Sequence, residues 1–103
     1  MISEKDDQFL NYLSSATEAG KIAWQPTAAD AEFTVSLKGK YNVVVGGDRR
    51  GGFWLRMSNE QGQVMLFITN EDDRYGRVEG IFTGARRIAL SVDSAIDEII
   101  TEE

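Results

Sequence analysis

Between residues 33 and 68, apolar and polar side chains alternate in four short runs that predict four antiparallel strands. The runs cover residues 33–37, 41–45, 53–57 and 64–68, and each shows the period of two that is typical of a strand with one buried face. Turn-forming segments separate them, namely Lys38-Gly39-Lys40, the glycine-rich stretch 46–52 and Asn59-Glu60-Gln61-Gly62. The pattern therefore predicts a meander of hairpins.

The hairpin loops also predict a register. The expected pairs are Leu37–Tyr41, Val35–Val43 and Phe33–Val45 in the first hairpin, and Met57–Val64, Leu55–Leu66 and Phe53–Ile68 in the last. With these pairs, twelve apolar residues share one face of the sheet. A slip of one residue would scatter that face, so the buried side of the sheet is well specified.

The reverse face is expected to be polar along the first strand and apolar farther on. Two cross-strand rows are predicted there, Val44–Trp54–Phe67 and Asn42–Arg56–Met65. The four apolar side chains in these rows need a cover. The sequence leaves open whether a helix of this chain, a second copy or a different protein supplies it.

Helical spacing of apolar residues flanks the strands. One helix is predicted from Glu4 to Ala19, with Ser3 as N-cap and Gly20 at its end. A second is predicted over 77–90, and a short last helix follows Ser91. The stretch before Pro26 is either a connector or a short edge strand. The expected fold is thus α+β, a four-stranded antiparallel meander in the order α-β-β-β-β-α-α, with the last helix as the candidate cover for Trp54 and Phe67.

Length and composition fit one domain over residues 1–103. The chain has 42% hydrophobic residues, enough for a globular core. There is no apolar run long enough to span a membrane and no basic, apolar signal segment at the start. The absence of cysteine agrees with a cytoplasmic location, which is the expectation.

The lack of histidine and cysteine removes many kinds of active site. Thiolate nucleophiles, Cys- or His-ligated zinc and Ser-His catalysis are all excluded. No pair of carboxylates suggests acid–base chemistry, so we expect no enzyme and no cofactor. Glu71-Asp72-Asp73 does not fit a calcium-loop pattern and is better explained as acids before a helix N-terminus.

The net charge of −6 disfavours binding to nucleic acid or to anionic membranes. Seven of the eleven cations are nevertheless arginines, and none of these precedes residue 49. Arg49 and Arg50 lie in Gly-Gly-Asp-Arg-Arg-Gly-Gly, which is either a loop that binds a carboxylate or phosphate or a solvated hairpin tip. Arg86 and Arg87 suggest either a surface salt bridge or, with Arg74 and Arg77, a basic ridge.

Glycines recur every four residues at 76, 80 and 84. A glycine inside a helix lowers helix stability by about 1 kcal/mol relative to alanine. We therefore expect a structural reason for the glycines at these positions. Close approach of the helix to the sheet is one explanation, and room for a ligand or partner is the other.

The segment from Gly84 to Ile100, Gly-Ala-Arg-Arg-Ile-Ala-Leu-Ser-Val-Asp-Ser-Ala-Ile-Asp-Glu-Ile-Ile, resembles the C-terminal signature of a group of small uncharacterised bacterial α+β proteins. Trp24 ahead of the strand 33–37 is similar to that group as well. The sequence departs from it at Phe82-Thr83-Gly84. The resemblance implies a bacterial α+β domain and no activity or site residue.

Two functions follow as hypotheses. The first is a small protein-interaction or regulatory module that binds another protein or a second copy of itself through Val44, Trp54, Arg56, Met65 and Phe67. The alternative is a binder of an anionic small molecule, such as a nucleotide, through Arg49 and Arg50. A homodimer through the reverse face is compatible with both.

Overall fold

The computed structural model describes residues 2–48 and 50–101, and it confirms an α+β fold with an N-terminal helix, an antiparallel sheet and two C-terminal helices. The elements are α1 (Glu4–Glu18), β1 (Gln25–Pro26), β2 (Glu32–Leu37), β3 (Tyr41–Gly47), β4 (Phe53–Ser58), β5 (Val64–Thr69), α2 (Arg77–Ala89) and α3 (Val92–Thr101). Helix α1 begins as predicted, because the Ser3 side chain accepts a hydrogen bond from the backbone N–H of Asp6 at 3.1 Å.

The sheet has five strands, in the order β1-β2-β3-β4-β5, so the prediction of four was wrong. The additional strand is the short edge strand that the sequence left open, and it pairs Gln25 with Thr34 and Pro26 with Phe33. Two residues are too few to show alternation. Proline is tolerated there because an edge strand does not need every N–H for pairing.

The first hairpin has the predicted register, with Val35 opposite Val43 and Phe33 opposite Val45. The last hairpin does not. Leu55 pairs with Ile68 rather than Leu66, a shift of two residues. A shift of two keeps every side chain on its own face, which is why the apolar pattern could not distinguish the two registers.

An irregularity accompanies the shift, because Met57 pairs with Leu66 whereas the next residue, Ser58, pairs with Val64. Met65 is therefore the additional residue of a β-bulge, at which the alternation of faces is interrupted. Val64 is consequently 57% exposed and does not belong to the twelve-residue face on which it was expected.

The core lies between the sheet and the helices α1 and α2. Helix α2 packs across β1 to β4, and α1 packs against α2. Phe82 of α2 contributes an aromatic cluster, with ring centroids 5.6 Å from Phe33 and 5.1 Å from Phe53. The largest fully buried side chains are those of Trp24, Leu10, Leu13, Leu55, Ile81, Val43, Val45 and Val78.

The glycines of α2 have different environments. A methyl group at Gly84 would lie 2.7 Å from Thr17 Cγ2 of α1, whereas one at Gly80 would meet nothing within 4 Å. Gly76 adopts a left-handed conformation just before the helix. Close approach thus explains Gly84 alone, and the element approached is a helix rather than the sheet.

The last helix, one of the candidate covers for the reverse face, does not cover it. Helix α3 packs against α2, none of its described residues is buried, and Phe67 remains 55% exposed. Among the helices of the described residues, none combines the length and hydrophobicity needed to cross a bilayer.

Candidate protein-binding surface

The reverse face of β3, β4 and β5 carries the five residues proposed for protein binding, which we call the reverse-face patch: Val44, Trp54, Arg56, Met65 and Phe67. Both predicted cross-strand rows were wrong, because the pairing of β4 with each neighbouring strand is displaced by two residues. Val44 lies opposite Arg56, which lies opposite Phe67, and Trp54 lies between Gly46 and Thr69. Trp54 and Phe67 are therefore diagonal neighbours.

The diagonal arrangement still brings the two aromatic rings together. Their centroids are 6.1 Å apart and their planes differ by 20°, an offset stack of the kind that aromatic pairs favour. The guanidinium carbon of Arg56 lies 5.2 Å from the Trp54 ring centroid, within the range of a cation–π interaction. Trp54 thus contacts a ring and a cation at the same time.

Two small features of β3 support this arrangement. The indole of Trp54 lies against Gly46, where a methyl group would come within 2.5 Å of Trp54 Cε2. Val44 is buried although no helix covers it, because the long side chains on β4 lie beside it. Aromatic and arginine side chains can bury apolar surface in this way while their polar ends stay in water.

The outer part of the patch is open to solvent. Met65 is 53% exposed, and Phe67 and the adjacent Val64 are exposed to a similar extent. Sequence reasoning missed Val64, since only the bulge turns it out of the core. β5 also forms the edge of the sheet, and in the described part of the chain it pairs with β4 alone.

Arg50, the described member of the anion-binding hypothesis, is exposed on the loop between β3 and β4. Arg49 lies outside the described residues. The carboxylate of Asp48 accepts hydrogen bonds from the backbone N–H groups of Arg50 and Gly52, both at 2.8 Å. The chain's own carboxylate therefore occupies donors of the kind that a phosphate would use.

A buried ion pair lies on the other side of the molecule, before α2. Asp73 is 2% exposed, and its carboxylate accepts hydrogen bonds from the backbone N–H groups of Tyr75, Arg77 and Val78. Arg77 donates to it at 2.9 Å and also bridges to Asp7 of α1. Asp73 thus caps α2 and joins it to α1, and Arg77 does not contribute to a basic ridge.

This environment shifts the pKa values of Asp73 and Arg77. Burial alone would raise the pKa of Asp73, but the hydrogen bonds from Arg77 and from the backbone outweigh it and leave the pKa below its ordinary value. The hydrogen bond to Asp73 raises the pKa of Arg77. The arrangement stabilises charge and is structural, and no cluster of three or more potential metal ligands occurs among residues 2–48 and 50–101.

Arg87 forms a salt bridge with Asp93, which links α2 to α3. A surface salt bridge is one of the two explanations that the sequence suggests for Arg86 and Arg87. Both side chains are exposed, so the energy of the bridge is small.

Comparison with known proteins does not indicate what this surface binds. The chain shows no significant match to a family model, to a curated protein or to a solved structure.

Proposed function

We propose that this protein is a protein-binding module, of a regulatory or adaptor kind, that binds its partner through the reverse-face patch. The observation that supports this most directly is the stack of Phe67 on Trp54 with Arg56 on the same indole. Tryptophan and arginine are the residues that most often dominate binding energy at interfaces. The stack leaves about half of Phe67 in contact with water, available to a partner.

The stack is also pre-organised. Trp54 is held between Gly46 beneath it and Phe67 beside it, so fewer rotamers are lost when a partner binds. Immobilising a flexible side chain costs about 0.5–1.5 kcal/mol, and a side chain that is already ordered avoids most of that cost. The surface is thus better suited to binding than a set of separately mobile apolar residues.

A protein partner fits the shape and chemistry of this surface. Small-molecule sites are usually concave and enclosed, whereas the patch lies on an open sheet face with exposed side chains at its border. An apolar centre with one cation fits a partner surface that is apolar and carries a carboxylate.

The proposal is tested by placing a photo-crosslinking phenylalanine analogue at position 67 of the full chain in cells that naturally produce it. Position 12 is the matched control, because Tyr12 is an aromatic residue on α1 with a similar exposure of 59%. We expect a discrete adduct from position 67, none from position 12, and loss of the adduct when Arg56→Ala is added. Equal adducts at both positions, or no adduct at position 67, would contradict the proposal.

A further inference from the structure

The two edges of the sheet differ in their protection against pairing with another chain. At one edge, β1 has two residues, and one of them is Pro26. Short strands and proline are common ways of closing an edge. At the other edge, β5 has six residues, Val64–Thr69, and none of them is charged, proline or glycine. β5 thus has the composition of an interior strand, although within residues 2–48 and 50–101 it pairs with β4 alone.

The hydrogen bonds of Thr69 show which backbone groups of β5 point away from β4. Its N–H donates to Asp72 Oδ2, and its C=O accepts from the N–H of Asp72, both at 3.0 Å. The two backbone groups of one residue point to the same side, and the side alternates along an antiparallel strand. The N–H and C=O of Phe67 therefore also point outward. In the part of the chain that the structure describes, neither group has a hydrogen-bond partner.

The open part of this edge is short. Asp72 fills the outer side at Thr69, and the bulge at Met65 interrupts the regular ladder at the other end. Between these limits, Phe67 presents both an N–H and a C=O in regular strand geometry. An added antiparallel strand therefore has one register, in which one of its residues lies opposite Phe67 and exchanges two hydrogen bonds with it. We call that residue the central residue of the added strand.

The side chains beside this opening are apolar on both faces of the sheet. Phe67 is 55% exposed on the reverse face, and Leu66 is half-buried on the face toward the helices. Side chains that lie opposite one another on neighbouring strands share a face. The central residue would lie beside Phe67, and its two neighbours would lie beside Leu66 and Ile68. All three residues are therefore expected to be apolar.

An acidic groove adjoins the opening on the reverse face. It has a volume of about 270 Å³, and its lining includes Asp48, Trp54, Phe67, Thr69 and Glu71. The side chains of Asp48 and Glu71 are exposed. A cation in this groove would be attracted by the carboxylates and by the faces of the aromatic rings. In an antiparallel added strand, the second residue before the central one points to the reverse face at this end, so lysine or arginine is expected there.

We propose that β5 accepts an antiparallel strand from a different protein, an extended segment in which lysine or arginine is followed directly by three apolar residues. The inference rests on the proposed function, because it specifies the kind of partner that binds beside Phe67. The main chain of the segment supplies the hydrogen bonds, and its side chains supply the specificity. β5 of a second copy fits less well, since it has no cation for Asp48 and Glu71.

The inference is tested with random twelve-residue peptides displayed on phage, which are selected on the immobilised full chain. The enriched peptides are synthesised, and their dissociation constants are measured by titration. We expect them to share the motif of a basic residue followed by three apolar residues. No enrichment, or enriched peptides without this motif, would overturn the inference.

Phe67→Pro and Phe67→Val form a matched pair that isolates the backbone hydrogen bond. Both remove the aromatic ring, but only proline removes the outward N–H, and an edge strand tolerates proline at such a position. We expect the enriched peptides to bind Phe67→Pro about tenfold more weakly than Phe67→Val, with the same circular dichroism for both variants. Equal affinities would count decisively against strand addition.

N-methylation of the peptides tests the same hydrogen bonds without a change in the protein. A methyl group on the nitrogen of the central residue is expected to weaken binding about tenfold, because this N–H faces Phe67. On either neighbour, whose N–H points away from β5, the methyl group is expected to have a much smaller effect. Equal effects at the three positions would exclude the proposed register.

Glu71→Lys tests the position of the basic residue, and Glu18→Lys, at an exposed position on α1, is the control. The enriched peptides are expected to bind Glu71→Lys about fivefold more weakly than the parent and to bind Glu18→Lys like the parent. Peptides with glutamate in place of the basic residue are expected to prefer Glu71→Lys. The same affinity for Glu71→Lys and for the parent would overturn the assignment of the groove.

The crosslink at position 67 separates failure of this inference from failure of the proposed function. An adduct with a different protein that contains the motif, together with peptides that distinguish Phe67→Pro from Phe67→Val, supports both. An adduct in cells with peptides that bind the two variants equally overturns the strand addition and leaves the binding module standing, and so does a self-adduct of twice the chain mass. Peptides that behave as expected without any adduct contradict the proposed function alone. Absence of both enriched peptides and an adduct overturns both.

Discussion

The indole of Trp54 occupies the space that a side chain at position 46 would need. The two residues lie opposite one another on β4 and β3, and a methyl group on Gly46 would come within 2.5 Å of Trp54 Cε2. Glycine at this position lets the indole lie flat on the sheet, where it stacks with Phe67. The shape of the proposed binding surface thus depends on glycine, which has no side chain, at position 46.

Gly46→Ala is expected to displace the indole. Relief of such a clash in a packed region costs about 1–3 kcal/mol. Trp54 is only partly buried and can move toward solvent, so we expect the lower end of that range. The measurement is the tryptophan emission spectrum, which should shift to the red while the far-UV circular dichroism stays unchanged. An unchanged spectrum would mean that Trp54 does not need this space.

Gly84→Ala and Gly80→Ala form a matched pair on α2. Both gain helix propensity, worth up to about 1 kcal/mol. At Gly84, however, the new methyl group collides with Thr17 Cγ2, and Thr17 Oγ1 accepts the hydrogen bond from the buried Trp24 indole at 3.1 Å. We therefore expect Gly80→Ala to stabilise the protein and Gly84→Ala to destabilise it in urea unfolding. If both variants are stabilised, α1 and α2 are not in close contact here.

Asp73→Asn is expected to lower the free energy of unfolding by about 2–4 kcal/mol at neutral pH, because it removes the buried negative charge that Arg77 and three backbone N–H groups bind. The exposed Asp72 is the control. Its hydrogen bonds from the Thr69 backbone and hydroxyl lower its pKa, but water can replace them, so Asp72→Asn is expected to cost less.

The pH dependence of stability follows from the same carboxylate. The pKa of Asp73 is lower in the folded than in the unfolded protein, so its stabilisation is complete above the unfolded value and is lost as the pH falls through the folded value. Urea midpoints between pH 6 and pH 2 should therefore fall less steeply for Asp73→Asn than for the parent. Equal slopes would show that this pair does not control acid unfolding.

Phe67 and Ile68 are consecutive residues on β5 with opposite surroundings. Ile68→Ala removes a core side chain that is 3% exposed and is expected to cost about 2–5 kcal/mol. Phe67→Ala removes a half-exposed ring whose main contact is Trp54, and we expect a loss of about 1 kcal/mol or less. Thermal unfolding of both variants measures the difference, and a similar loss for the two would indicate that Phe67 belongs to the core.

The helices were predictable because their signals are local. Ser3 caps α1 through the backbone N–H of Asp6, and the 3.6-residue period identified the buried positions of α1 and α2. The same period in α3 and the period of two at Val64 did not correspond to burial. Trp54 and Phe67 were expected to be neighbours, and they are. The row that joins them was wrong, because cross-strand pairing is shifted by two residues between β4 and β5 while the face of each side chain is conserved.

The sequence alone determined the class of each main element and the face that most side chains of the strands present, since both follow from spacing along the chain. Only the tertiary structure decided the bulge that exposes Val64, the contact between Gly46 and Trp54, and the position of α3 against α2. These features depend on contacts between residues far apart in sequence. Other registers and helix positions would be compatible with the same pattern of apolar residues. Packing and hydrogen bonding across elements, which no local period encodes, select among them.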